Sequence, residues 1–459
     1  MSQSSQFNRR RFLRTTSLAA GSGALGFPSI CRAASPNGKV THAAIGVGGM
    51  GWADLNGILS HGKAEVIALC DVDSEKLKKA AQKVPGARLY KDWRELLEKE
   101  GDKVDSVSVS VPDHMHAVIA AAAMEAGKHV YCQKPMCHDV AEVRYLTELA
   151  KRKGVVTQLG NQHSSGTGDR MGVEWVRSGV IGKVKHLYLC SNRKSAMSIR
   201  RIGPRPETGQ EPPSHLDWDL WTGTAPMRPY APGLYHPVCW RSWQDFGTGW
   251  SGDIGCHILS APWKALDLTA PKDVVARVPQ QWLESPKFRN DLWPVANHIT
   301  WTFPGTDRTV GDEITVEWFD GVDSDFYPPA EIMKLYPGKE YPQEAAMFVG
   351  EEGYLLLPHT SGPMLLPREK LGTEKRPDIR GESHYHGYLN GIIDGKPVES
   401  HFGLAGPMTE TVLLGTVAVR TPGEKLTWDP AGMKIPNNAT ANGLLRREYR
   451  EGWKQQGLG

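Results

Sequence analysis

Between residues 38 and 160 the chain alternates short apolar runs with helical patterns, and no other feature narrows its fold as far. "KVTHAAIG", "AEVIALC", "ARLY", "VDSVSVS", "HVYC" and "VVTQLG" read as strands. Between them, "WADLNGILS", "DSEKLKKAAQKV", "DWRELLEK", "HMHAVIAAAAMEAG" and "VAEVRYLTELAKRKG" carry helical spacing. Strands joined through helices by short connections run parallel, with right-handed crossovers and helices on both faces of the sheet.

The first strand–helix turn is Gly46-Val47-Gly48-Gly49-Met50-Gly51. Gly46 permits the tight turn, Gly48 lets backbone approach a pyrophosphate, and Gly51 lets the helix pack close to the sheet. The free N–H groups at the helix start suit the pyrophosphate itself. Asp71, after the second strand, is placed to accept from an adenosine ribose; its charge opposes a 2′-phosphate, and Val72 offers no compensating arginine. NAD is therefore expected as cofactor, with NADP left open. Residues 38–160 form a Rossmann domain on this reading. Gly46, Gly48, Gly49, Met50, Gly51 and Asp71 line its cofactor site, joined by Ser110, Pro112 and His114 after the fourth strand and Gln133 and Lys134 after the fifth.

Before this domain, "NRRRFLRTTSLAAGSGALGFPSI" has a basic start, an apolar middle and small residues near Ala33-Ala34. It reads as a cleavable export signal over residues 1–34, and Arg9-Arg10-Arg11-Phe12-Leu13 fits the twin-arginine pattern. The expected location is periplasmic or otherwise exported. The apolar stretch is too short and too broken for stable membrane insertion of the mature protein. Without Cys31 six cysteines remain, with no tight C-x-x-C pair, and buried free thiols are expected. A formal charge of +3 with no basic stripe excludes nucleic acid as a natural partner.

Lys134 closes the fifth strand, at the carboxyl side of the sheet where a cofactor crevice lies. Pro135 restricts it to extended backbone, and the Lys134–Pro135 bond is one of the few that can be cis. "YCQKPM" here, "GTGWSGDIGCHILS" a hundred residues on, and the ending "SHFGLAGPMTETVLLGTVAVR…LTWD…ANGLLRREYREGW" resemble the Gfo/Idh/MocA oxidoreductases, in particular their twin-arginine-exported bacterial branch. The resemblance implies a C-terminal α/β domain, residues 161–459, with a large open, mostly antiparallel sheet that often forms homo-oligomers. It implies oxidation or reduction of a sugar, polyol or glycoside hydroxyl by hydride transfer to nicotinamide.

Matched to the family's signatures, Lys134, Asp253 and His257 are the expected catalytic residues. The i, i+4 spacing of Asp253 and His257 puts both on one helical face. A free lysine is neutral in roughly 1 of 2,500 copies at pH 7, whereas histidine titrates near pH 7 without adjustment. His257 is therefore assigned proton transfer, Lys134 the electrostatic role, and Asp253 the orientation of the pair. Two positions depart from the family pattern: Gln133 stands for the usual glutamate and Ser260 for a frequent aspartate.

The segment "RRIGPRPETGQEPPSHLDWDLWTGTAPMRPYAPGLYHPVCWRSW" is too proline-rich for continuous regular structure, and long ordered loops usually cover a site. Tyr235, His236, Trp240 and Arg241 are its candidates for binding a small-molecule carbohydrate. His163, His236, His384 and His386 match no ligand spacing, so no metal is expected. Two other functions stay open: a glycoside hydrolase that oxidises its sugar transiently and keeps its NAD, and a catalytically silent carbohydrate-binding relative.

Overall fold

The computed structural model of the protein describes residues 38–198, 204–322, 324–396 and 398–459. The export signal expected over residues 1–34, with Cys31, lies outside the described residues. The six alternating strands are β1 (Val40–Ile45), β2 (Ala64–Cys70), β3 (Arg88–Tyr90), β4 (Ser106–Val109), β5 (His129–Cys132) and β6 (Thr157–Leu159). They form one parallel sheet in the order β3-β2-β1-β4-β5-β6. Every residue of β4 and β5 is buried, as strands covered on both faces require.

Helices α1 (Met50–Leu59), α2 (Ser74–Lys83), α3 (Trp93–Glu100), α4 (His116–Glu125) and α5 (Val140–Lys153) connect the strands. α5 shows how local signals set an element's ends. Asp139 and Glu142 form a reciprocal capping box at its start, and Gly154 closes it in the left-handed conformation. Strand order reverses between β1 and β4, and a crevice opens beyond their carboxyl ends.

The second sheet takes β7 (Val184–Ser191), β8 (Asp273–Arg277), β9 (Asn297–Pro304), β10 (Glu313–Asp320), β11 (Glu344–Gly350), β12 (Tyr354–Pro358), β13 (Met364–Leu366) and β14 (Leu426–Thr427). Their order is β13-β12-β11-β7-β10-β9-β8-β14. Only β7 and β10 pair in parallel; the other neighbours are antiparallel. β9 alternates buried and half-buried residues along its length, the period of a strand with one face on a core. The fold is thus a Rossmann domain followed by an α/β domain with a mostly antiparallel sheet.

Further helices include α6 (Thr167–Arg177), α7 (Gly249–Ile258), α8 (His384–Asp394) and α9 (Phe402–Arg420), of which α7, α8 and α9 meet the first domain. α8 returns from late in the chain to the first sheet, where the Tyr388 hydroxyl meets Ser106 Oγ at 2.9 Å. α9 is, among the described residues, the one helix long and apolar enough to cross a membrane, yet it is mostly buried, between α5 and α7. Arg144 of α5 makes a two-pronged pair with its Glu410. Beyond it, Arg447 Nη2 donates to Glu142 Oε1 at 2.8 Å and to the His114 carbonyl at 2.6 Å. Glu142 is buried, so Arg447→Met strands a carboxylate without its cation. Urea unfolding is expected to show a loss of about 3 kcal/mol.

Candidate active site

The crevice at the switch point is bordered by Gly46, Gly48, Gly49, Met50 and Asp71 on one side. Ser110, Pro112, Gln133 and Lys134, from the ends of β4 and β5, border it on the other. Gly46 has φ +80°, and a Cβ there would lie 2.3 Å from the Ser110 carbonyl oxygen. A Cβ on Gly51 would lie 2.1 Å from the Gly46 oxygen, so Gly51 serves the close helix packing. No side chain caps α1; the Gly51 amide bonds the Gly48 carbonyl at 2.9 Å, and the helix start offers its positive dipole end to an anion. Asp71 is anchored by the Val47 and Asp73 amides, each at 2.9 Å. These residues fit a dinucleotide: the turn would hold its pyrophosphate and Asp71 a ribose. His114 does not join them. It is fully buried, its imidazole bonded to the Trp221 and Phe246 carbonyls, and it fastens the second domain to the end of β4.

Lys134 follows β5 across a cis peptide to Pro135. Its Nζ reaches Asp253 Oδ1 of α7 at 2.7 Å, with the two side chains only 9% and 7% exposed. Arg241 Nε reaches the same oxygen at 3.2 Å. Burial alone would raise the Asp253 pKa, but the Lys134 and Arg241 charges hold it well below the usual carboxylate range. Asp253 thus orients Lys134 and Arg241; among the described residues it makes no hydrogen bond to His257, contrary to the expected pairing. Burial, and then the Lys134 charge, push the His257 imidazole well below its ordinary pKa. The expectation that this histidine needs no adjustment therefore fails. It is a neutral, weakly basic group with Nδ1 buried and unpartnered. Close by, buried Asp113 accepts from Thr248 N and Oγ1 at 3.1 and 2.9 Å. Burial, then repulsion from Asp253, lifts its pKa to about 7.

Gln133 faces a carboxylate that sequence reasoning missed. Its amide nitrogen lies 2.9 Å from both oxygens of Asp54 in α1. Ser110 Oγ and the Tyr385 hydroxyl also donate to Asp54, at 2.7 and 3.0 Å. A Cβ on Gly160 would come within 2.7 Å of the Gln133 side chain, so the backbone leaves room for this amide. A glutamine here is the neutral donor that a buried aspartate requires. The signal was legible: Asp54 sits with Gly51, Leu55 and Ile58 on the buried stripe of α1, where an acid is out of place. Ser260 is likewise withdrawn from the crevice, accepting from Asn161 Nδ2 at 3.2 Å.

The proline-rich segment roofs the crevice. Ser74 N donates to the His215 carbonyl at 2.8 Å and Asp217 N to the Val72 carbonyl at 3.0 Å. The carboxylate of Asp73 receives His215 Nδ1 at 3.0 Å and His236 Nε2 at 3.1 Å. His236, Trp240 and Arg241 border the crevice, with Arg241 stacked over the Trp240 ring at 4.2 Å. Tyr235 does not. It is wholly buried among Trp218, Trp243 and Phe246, so it holds the roof together instead of meeting a ligand. None of the six described cysteines forms a disulfide with another described cysteine, and all six are buried, as expected.

A glycine turn at the switch point and a lysine brought to the second domain's carboxylate define a two-domain α/β oxidoreductase fold. Residues 40–161 match the model of the oxidoreductase family's NAD-binding Rossmann fold, and residues 175–290 that of its C-terminal α/β domain. Together these cover more than half of the chain, which belongs to the Gfo/Idh/MocA oxidoreductase family. The chain is 29% identical to myo-inositol 2-dehydrogenase of Thermotoga maritima over 32% of its own length and 43% of that protein. It is 28% identical to glycosyl hydrolase family 109 protein 1 of a Shewanella strain, over 31% of this chain and 32% of that one. It thus spans less than half the length of the curated relatives it matches. The WlbA dehydrogenase of Bordetella pertussis, solved with NADH and UDP-GlcNAcA, superposes with TM-score 0.57 at 14% identity, covering 85% of this chain and 99% of that one. At that identity the likeness is one of fold.

Gln133→Glu would set two carboxylates against each other. The protein is expected to lose about 2 kcal/mol at pH 8 and less at pH 5, where one is protonated, measured by chemical unfolding. Asp113 carries a folded pKa above its unfolded value, so the native state binds the extra proton and stability falls as pH rises from about 4 to about 7. Asp113→Asn removes that dependence, and thermal melts should show a larger gain at pH 8 than at pH 5.

Proposed function

We propose that the protein is an exported oxidoreductase that uses NAD, or NADP, to oxidise or reduce a hydroxyl-bearing carbon of a sugar, polyol or glycoside. The observation that carries this reading is the Lys134–Asp253 pair, which sets an ammonium from one domain at the mouth of the glycine-turn crevice. The bound nicotinamide supplies a two-electron acceptor there. Lys134 Nζ, fixed by Asp253 and with Arg241 beside it, stabilises negative charge on the substrate oxygen as its proton leaves. His257, kept neutral, is the acceptor for that proton. The roof over residues 215–241 excludes water from this space.

The same roof favours a second reading, in which the cofactor stays bound through turnover and the enzyme cleaves a glycoside with no net redox change. Asp73 fastens the roof directly beside the ribose-binding Asp71, so release would require several hydrogen bonds to open. Twin-arginine export suits both readings, because that route carries folded, loaded proteins. Homo-oligomers formed through the open sheet belong to the same proposal.

Native mass spectrometry and absorbance at 340 nm test the reading together. The purified protein is expected to carry NAD, and Lys134→Ala to lower turnover at least 100-fold while NAD remains bound. Free sugar released from an aryl glycoside without accumulated NADH would select the second reading. No spectral change with any saccharide, and no effect of Lys134→Ala, would leave a silent carbohydrate-binding protein.

A further inference from the structure

Three histidines from separate elements stand in a row beside the catalytic groups. His257 belongs to α7, His359 follows β12, and His163 precedes α6. The rings of His257 and His359 are 5.1 Å apart, and those of His359 and His163 are 4.7 Å apart. None of the three imidazoles makes a hydrogen bond among the described residues. The row ends at a second cavity, bordered by His163 and, from α6 and the turn after β12, by Thr167, Asp169, Trp175 and Ser361. Asp169 is only 7% exposed, and its carboxylate also has no hydrogen-bond partner among the described residues. Burial lifts its pKa to about 7.

Unspent imidazole nitrogens and a desolvated carboxylate describe a surface that awaits donors and acceptors from elsewhere. A metal is the poorer occupant, because the Lys134 charge already bears on both His257 and His359. An acidic ligand would meet Asp169 in the buried part of the cavity; Arg368, Arg376 and Glu374 border only its exposed rim. A neutral, hydroxyl-rich group satisfies Asp169 and the imidazoles together: its O–H groups donate to Asp169 and to imidazole nitrogens, and its oxygens accept from imidazole N–H. Trp175 offers an apolar wall for a sugar face.

We infer that this cavity is a second carbohydrate subsite, and that the substrate is a neutral glycoside of two or more sugar units. The reacting ring lies at Lys134, and the next ring lies beyond the histidine row against Asp169. The inference deepens the proposed function and rests on it for the position of the reacting ring.

The test uses the full, NAD-loaded chain against an array of neutral mono- to tetrasaccharides, followed by calorimetry on the best ligand and its constituent monosaccharide. A disaccharide or longer glycan should bind at least tenfold more tightly than its monosaccharide. Asp169→Ala and the cavity-filling Ser361→Trp should each remove most of that advantage. NAD content and melting temperature are the controls for folding. A monosaccharide as the best ligand, retention of no saccharide, or unchanged glycan binding by both variants would overturn the inference. Loss of NAD binding, or indifference to Lys134→Ala, would instead strike at the oxidoreductase reading, whatever the glycan affinities.

Discussion

One ion pair organises this molecule. Lys134 follows the fifth strand of the first sheet, and Asp253 meets it from a helix of the second domain, with both side chains almost wholly out of water. Burying two charges rarely stabilises a fold, because desolvation cancels most of their attraction. The pair is better understood as positioning: it holds an ammonium at the crevice mouth. Its field reaches outward. Lys134, with Arg241, keeps Asp253 ionised; the Lys134 charge adds to the burial that lowers the basicity of His257, and Asp253's repulsion adds to the burial that lifts Asp113.

Around that pair the second domain does more than offer a substrate wall. Its proline-rich segment crosses back to the Rossmann domain and is fastened at Asp73, while His114 and Arg447 bind the same region from beneath. Trp218 and Trp221 stack at 4.7 Å and pack with Tyr235, Trp243 and Phe246 into the body of the roof. Most of these rings are therefore scaffold, while Trp221 and Trp240 also border the crevice, the latter beside Arg241.

Gln133 shows why a departure from a family pattern needs its neighbours before it can be interpreted. Read alone, it is a missing carboxylate. In the fold, Asp54 of α1 stands against it, and an acid at 133 would clash with that carboxylate electrostatically.

Several features were written into the chain because their causes are local. Apolar period and short connections dictate a parallel sheet, and Gly46 and Gly51 stand where any Cβ would strike backbone. Lys134 falls at the crevice because a strand ends one residue before Gln133. The companions of these residues were not legible. Gln133 meets Asp54, Asp73 meets His236, and His257 adjoins His359, across separations with no periodic signal in the sequence. Nor did residue type foretell that Tyr235 and His114 would be sealed inside while Trp240 reaches the crevice. Sequence decided which groups stand at the ends of strands, because backbone sterics and periodicity act over a few residues. Tertiary packing alone decided which charges they share and how strongly they hold a proton, because burial and Coulomb attraction depend on distance through space.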